Sequence, residues 1–427
     1  MKVYRTGTGR EIRLRDLIGK GGEGAVFDVD GENDLAAKIY TDGKHLERRE
    51  KIMTMVSAQF YKRSSFVAFP IDILLNERGE FVGFTMRKVR GVKPIHDLYA
   101  PASRKVEFPK ANFRFLARTA TNVARAIASV HQTGCVIGDI NHSGFLVSER
   151  ATVTLIDADS FQIRAGTKVY RCRVGVGEYT PPELQGIALD TVDREPAHDT
   201  FGLAVMVFQL LFMGRHPFAG RYGGLGDMPI EKAIKEGRFA YSVQRRAETK
   251  MAPPPFAPTL SDVTPELALA FERSFVSNPA QFRNRPTAAD WVNVLSRFET
   301  ELIPCGINPA HHRPKNTREC PWCRLENGMD ITLFYLPGSA TPPVVHTNFD
   351  LNAAIAAIER ILGPGEPPDP STLMPPIKGL SKSPLAKQAK QELTERRVGG
   401  VLLAAACFAL TANVESTTSL RVVYRVQ

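Results

Sequence analysis

Ile18-Gly-Lys-Gly-Gly-Glu-Gly-Ala-Val-Phe27 carries the strongest local signal for the fold, with Gly19, Gly21 and Gly24 in a G-x-G-x-x-G spacing followed by Val26. Glycines so placed let a backbone approach a polyphosphate and aim N–H groups at it, because no Cβ stands in the way. A dinucleotide-binding turn uses the same spacing, but it needs a helix directly after the loop and an acid about 20 residues on. Here Ala25–Val29 alternates like a strand. The stretch therefore reads as a strand–loop–strand clamp.

Lys38 follows Gly24 by 14 residues, inside the apolar run Leu35-Ala36-Ala37-Lys38-Ile39. A lysine on such a strand is costly to bury unless an anion or a carboxylate meets it. A solvated edge strand is the lesser reading of this lysine taken alone, and the glycine loop in front of it weakens that reading sharply. Glu47 and Glu50, on the charged helix expected between His45 and Phe60, are the candidate partners. Glu50 is the expected one, since it precedes the apolar residues Ile52, Met53, Met55 and Val56.

Outward from this centre, residues 11–89 alternate in short apolar runs divided by glycines and charged turns, the mark of strands. The pattern then changes period. Phe115, Thr119, Val123, Ile127 and Val130 mark a helix over Ala111–His131, with Gly134 placed to end it, and Asp199–Met213 is apolar nearly all round, as a central buried helix is. Helical signals continue through Ile230–Lys235, Pro265–Phe275 and Thr287–Glu301. The expected class is α+β, with a small strand-rich lobe before a larger helical one.

The bulk figures exclude more than they assign. The chain has 427 residues, 43% hydrophobic and 23% charged, which rules out wholesale disorder and allows more than one domain. Net charge is +10, of which +8 lies in the first 300 residues, spread out rather than clustered. A nucleic-acid partner is not expected from such a distribution. Six cysteines are too few for a disulfide scaffold in a chain this long. Met1–Arg5 leads into no signal-peptide core, so the expected compartment is a reducing cytosol.

Two acidic loops follow the first long helix. Val136-Ile-Gly-Asp139-Ile-Asn141-His-Ser-Gly144 precedes an apolar run, and Thr154-Leu-Ile-Asp157-Ala-Asp159-Ser-Phe161 lies 18 residues further on, from Asp139 to Asp157. An aspartate in a loop is more often a cap or turn residue than a catalyst. With the glycine loop and Lys38 in the same chain, a phosphoryl-transfer site is the better expectation.

At this point the chain resembles the eukaryotic-type protein kinase family, over roughly residues 12–300 and in the family's order of elements. Gly177-Glu-Tyr-Thr-Pro-Pro-Glu183 resembles the A-P-E element, and Asp199-Thr-Phe-Gly-Leu203 the start of the buried central helix. Arg285-Pro-Thr-Ala288 resembles the final element, whose arginine pairs with that glutamate, here Glu183. The resemblance implies a bilobal kinase-like fold over 1–300, transferring the γ-phosphoryl group of ATP to a Ser or Thr hydroxyl of a protein. It implies Asp139 as catalytic base, Lys38 on the phosphates and Glu50 pairing with Lys38. Nucleotide contacts would come from Gly19, Gly21, Gly24, Val26, Ala36, Lys38 and Met86. Magnesium or manganese would sit on Asp157, with Asp159 or Asn141 as second ligand. Departures are plain: Ile137 and Gly138 replace the His and Arg before the aspartate, which makes control by activation-loop phosphorylation unexpected, and Gly144 stands in place of the second metal-binding asparagine. An active kinase of this non-RD type and a nucleotide-binding pseudokinase scaffold both fit these substitutions.

Over 301–335, Cys305, His311, His312, Cys320 and Cys323 offer a Cys₃His tetrahedral set for structural zinc. A redox pair would want a βαβ context that is missing here. Cys305-Gly-Ile-Asn-Pro-Ala-His311 through Cys320-Pro-Trp-Cys323 resembles the zinc-ribbon tail of bacterial kinases of tellurium-resistance-associated phosphorylation triads. That resemblance selects His311 over His312, and it implies a von Willebrand A-type protein and a phosphatase as partners in bacterial signalling or stress response.

Residues 336–384 read as a proline-rich linker, with 10 of the 30 prolines between 337 and 384. In 385–427 a polar helix leads into the uncharged stretch Val398–Ala412. That stretch is 15 residues long, where a span needs about 20. A short buried helix and a membrane tether at 398–412 are the two expectations for it.

Overall fold

The computed structural model describes residues 2–336 apart from 42, 44 and 276–278. The expected linker and the two segments after it therefore lie outside the described residues. Six antiparallel strands close into a barrel in the order β1-β2-β3-β4-β6-β5: β1 Val3–Thr6, β2 Glu11–Lys20, β3 Gly24–Val29, β4 Glu32–Tyr40, β5 Pro70–Leu75 and β6 Phe81–Arg87. Alternation along the strands sends Ile12, Leu14, Val29, Ala37 and Leu74 to one side, where they form a small core of their own. Closure leaves this sheet without a free edge.

Helix α1, His45–Ser57, packs beside the barrel and buries Lys51, Ile52 and Met55. The helical part begins with α2, Pro101–Glu107, and α3, Phe113–Gln132. Asn112 starts α3 by accepting from the Phe115 N–H at 2.8 Å, as an N-cap should. Helix α4, Pro196–Leu211, is buried all round from His198 to Leu211, as its sequence predicts. Around it stand α5, Pro265–Ser274, and α6, Ala288–Thr300, with the rings of Phe208, Phe212, Phe271 and Phe275 packed together. The result is a mixed α/β architecture, strand-rich first and helical after, as expected in outline.

Two long-range features bind this frame. Arg285 meets Glu183 in a bidentate pair at 2.5 and 2.8 Å, with both side chains buried. Leaving either charge without its partner is expensive in such a site. Glu183→Gln is expected to lower the unfolding free energy in urea by about 3 kcal/mol.

The Cys/His segment is the second. It was expected as a separate extension, but Trp322, Leu325, Leu333 and Phe334 belong to the same apolar core as α3, α4 and α6. The Phe113 and Trp322 rings lie 4.4 Å apart, centroid to centroid. The expected membrane tether is withdrawn. No helix among the described residues is long and apolar enough to cross a membrane, and 398–412 lies outside them.

Candidate active site and metal centre

The glycine loop is the hairpin between β2 and β3, in register Gly19↔Val26 and Lys20↔Ala25. The Gly21 N–H donates to the Gly24 carbonyl at 2.9 Å, which closes the turn. Gly24 must be glycine: a Cβ there would lie 2.5 Å from the Ile39 carbonyl oxygen of β4. At Gly19, Gly21 and Gly22 the space is open, and this bare backbone forms the roof of a cleft of about 490 Å³. Val26, Lys38, Asp139, Asn141, Gly144 and Asp157 also line that cleft. Ala36 and Met86 are cross-strand neighbours on β4 and β6, buried in the main core, and are not among its lining residues.

Asp139 stands on a loop fixed from below. The carboxylate of Asp199, at the start of α4, accepts the N–H groups of Ile137 and Gly138 at 2.8 Å each and bonds His131 of α3 at 2.9 Å. Gly138 has φ +76°, and a Cβ there would meet Cys172 at 2.6 Å, so the position next to Asp139 admits only glycine. Arg194 reaches in from elsewhere and donates to the Gly138 carbonyl at 3.0 Å. Burial raises the Asp139 pKa above the ordinary aspartate value, and its Oδ1 is buried with no hydrogen-bond partner. Asp139 lines the cleft, and a buried carboxylate oxygen with no donor beside it is an unsatisfied acceptor.

Asn141 lines the cleft too. Its Oδ1 accepts the Ser143 N–H at 2.8 Å and keeps a second lone pair. Asp157 has a left-handed backbone, φ +58°, a conformation that costs energy in a non-glycine residue and tends to gather at functional sites. Its side chain is 56% exposed to the cleft and accepts from Lys38 Nζ at 3.1 Å.

Two sequence expectations are corrected by the surroundings of Lys38. Glu50 does not meet it: the Glu50 carboxylate is exposed and bonds Lys168 and the Tyr170 hydroxyl instead. Asp159 is no open metal ligand. Both its oxygens accept from Lys38, at 2.8 and 3.0 Å, and one also accepts from the Tyr40 hydroxyl at 2.8 Å. Burial works against the Lys38 charge, but Asp159 and Asp157 outweigh it and hold its pKa above the ordinary lysine value. Tyr40 went unnoticed in the sequence, although two residues along a strand bring it to the same face as Lys38.

Lys51, also missed, lies on the inner face of α1. Burial pushes its pKa down to about 8 from 10.5, against the opposing pull of Cys172 and Asp159; Arg48 lowers it further and Glu23 opposes. A base with a depressed folded pKa binds fewer protons folded than unfolded between those values, so stability rises with pH through that window. Lys51→Met is expected to abolish this rise and to add about 2 kcal/mol of stability at pH 7, read from urea titrations at pH 7, 8 and 9.5.

Cys305, His311, Cys320 and Cys323 converge with all four ligand atoms within 4.8 Å of one another. Cys305 and Cys323 sulfurs are 3.6 Å apart, and His311 Nδ1 lies 3.4 and 3.7 Å from Cys323 and Cys320. Zinc–sulfur bonds of about 2.3 Å in a tetrahedron put sulfurs about 3.8 Å apart, so the cage has the right size. Burial disfavours the Cys305 thiolate, yet the N–H groups of Asn308 and Ile307 hold its pKa down to about 7. His311 Nε2 faces Glu326 at 3.2 Å, the outer carboxylate that orients many metal-bound histidines. His312 points away, its Nδ1 3.4 Å from the Ala310 carbonyl.

A glycine-rich loop, a lysine and two aspartates lining one cleft describe a phosphoryl-transfer type of site, and the same chain carries a Cys₃His cluster of metal-ligating size. Comparison with known proteins agrees with that class. No family model matches the chain. It is 38% identical over 333 residues to protein kinase YegI of Escherichia coli strain K12, covering 77% of this chain and 50% of that protein. Protein kinase YegI of Escherichia coli O157:H7 is 37% identical over 328 residues, covering 75% and 50%. The matched residues place the chain in the bacterial protein kinase family of these relatives, and the chain spans about half their length.

Proposed function

We propose that this chain is an ATP-dependent protein kinase that phosphorylates serine or threonine, built on a bilobal kinase fold with the barrel and α1 as the small lobe. The observation that carries the reading is the buried, unpartnered Oδ1 of Asp139, set in one cleft with Lys38, Asp157 and the open glycine backbone. A substrate hydroxyl entering the cleft donates to the Asp139 carboxylate. Its oxygen attacks the γ-phosphorus of ATP, the bond from that phosphorus to the bridging oxygen breaks, ADP departs, and the hydroxyl proton passes to Asp139. Lys38 and the loop N–H groups hold the phosphates in line. Asp157 and the amide oxygen of Asn141 fit a hard divalent cation; magnesium bound there supplies charge neutralisation of the phosphates.

Gly138 stands in place of the family's arginine directly before Asp139, so this kinase does not need a phosphorylated activation loop. The Cys₃His cage holds structural zinc. A von Willebrand A-type protein and a phosphatase as partners, in a signalling or stress-response setting, rest on sequence resemblance alone. Purified chain with Mg²⁺ or Mn²⁺ and labelled ATP is expected to phosphorylate itself or a protein substrate on Ser or Thr. ATP bound with no transfer under either metal would leave a nucleotide-binding scaffold in its place.

A further inference from the structure

We propose that Asp159, held by Tyr40, is the positioning carboxylate for Lys38, and that the acidic face of α1 takes no part in orienting that lysine. The inference rests on the kinase reading for its consequence, not for its geometry. Asp159 is fully buried, with its two oxygens on Lys38 Nζ at 2.8 and 3.0 Å and the Tyr40 hydroxyl at 2.8 Å. A carboxylate so enclosed cannot turn to the cleft without losing all three bonds. Tyr40 stands two residues beyond Lys38 on β4, so one strand supplies both groups that grip Asp159.

The acids of α1 are committed elsewhere. Glu50 bonds Lys168 and Tyr170 on the hairpin Ile163–Ala165/Lys168–Tyr170, and Glu47 bonds Arg173 just after it. Both carboxylates are more than half exposed. The inward position on this helix is held by Lys51, which is buried, carries no carboxylate to offer Lys38 and is itself drawn to Asp159.

The division of labour between the two aspartates follows. Asp157 is exposed and touches Lys38 once; Asp159 is enclosed and touches it twice. With Asp159 in place, Lys38 stays oriented while Asp157 is free to serve a cation. Without it, Asp157 becomes the lysine's only carboxylate, and lysine and cation compete for one group. The pairing also uncouples Lys38 from any movement of α1.

The test compares Asp159→Asn, Glu50→Gln, Lys38→Met and the double variant Lys38→Met/Asp159→Asn in the full chain. Readouts are ATP affinity by calorimetry across Mg²⁺ concentrations and phosphoryl transfer from labelled ATP. Asp159→Asn is expected to raise the Mg²⁺ needed for half-maximal ATP binding about tenfold, the equivalent of one charge contact, and to lower kcat about 100-fold. Glu50→Gln is expected to stay within about twofold of wild type, and the double variant to bind ATP no worse than Lys38→Met, because Asp159 acts only through Lys38. Wild-type behaviour of Asp159→Asn overturns the proposal. So does a Glu50→Gln defect of equal size, or an additive loss of ATP affinity in the double variant. Should Asp159→Asn not fold, Tyr40→Phe keeps the charge pair and removes one bond; a rise of about threefold in the Mg²⁺ requirement supports the proposal, and no change overturns it. A wild type that binds ATP without transferring phosphate defeats the kinase reading alone, and the binding series still decides on Asp159.

Discussion

Asp139→Asn is expected to reduce phosphoryl transfer about a thousandfold while ATP affinity stays within about threefold of wild type. Asparagine matches aspartate in size and keeps the loop's shape, but it cannot take a proton. Oδ1 of Asp139 has no partner to lose, so the cost to the fold is limited to the contacts of Asn141 and the Val176 backbone with the rest of the carboxyl. Burial raises the pKa of this carboxyl, with Asn141 and Arg194 opposing, which makes it a stronger base than an exposed aspartate. The wild-type rate is accordingly expected to fall with acid at a pH above the ordinary aspartate value. Transfer by the variant within about tenfold of wild type would remove Asp139 from the role of base.

Zinc removal is the second large effect, and it should be felt well beyond the cage. The Ala310 carbonyl, next to His311, accepts the Phe113 N–H at 3.1 Å, so the metal loop closes off the first turn of α3. Arg104 of α2 is buried and donates to the Leu333 carbonyl at 3.1 Å, with its guanidinium over the Phe334 ring. Helix α3 in turn carries His131, which bonds the Asp199 carboxylate under the Asp139 loop. A chelator, or Cys320→Ser, is expected to drop bound zinc from about one ion per chain and to lower a single cooperative Tm by about 5–10 °C. An unchanged Tm with the zinc gone would show that the cage bears no load. A separate early transition would show that residues 301–336 unfold on their own.

Local spacing accounts for what could be read in advance. The glycine loop, Lys38 and the Cys₃His set each depend on residues close in the chain, whose geometry follows from a hairpin, a strand or a tight turn. The pairing of Arg285 with Glu183 was also foreseen, although 102 residues separate them, because resemblance supplied what spacing could not. The partner of Lys38 was not foreseen. Glu50 and Lys51 are neighbours on α1, about 100° apart around the helix axis, so a small rotation decides which one faces inward. Ile52, Met53, Met55 and Val56 span too wide an arc to fix that rotation, and Met53 proves to be exposed. The boundary drawn at residue 300 had the same weakness: a proline-rich, cysteine-bearing segment reads as separate until its tryptophan is found against Phe113.

The sequence by itself determined the order of elements, the glycine loop, the two acidic loops and the three cysteines of the cage, since these rest on residue type and short-range spacing, while resemblance chose His311 over His312. Only the tertiary structure decided which carboxylate holds Lys38, which oxygen of Asp139 is left without a partner, and that the Cys/His segment shares the helical core. Those outcomes depend on helix rotation and on close packing between distant segments. Neither is written in the local pattern of the chain.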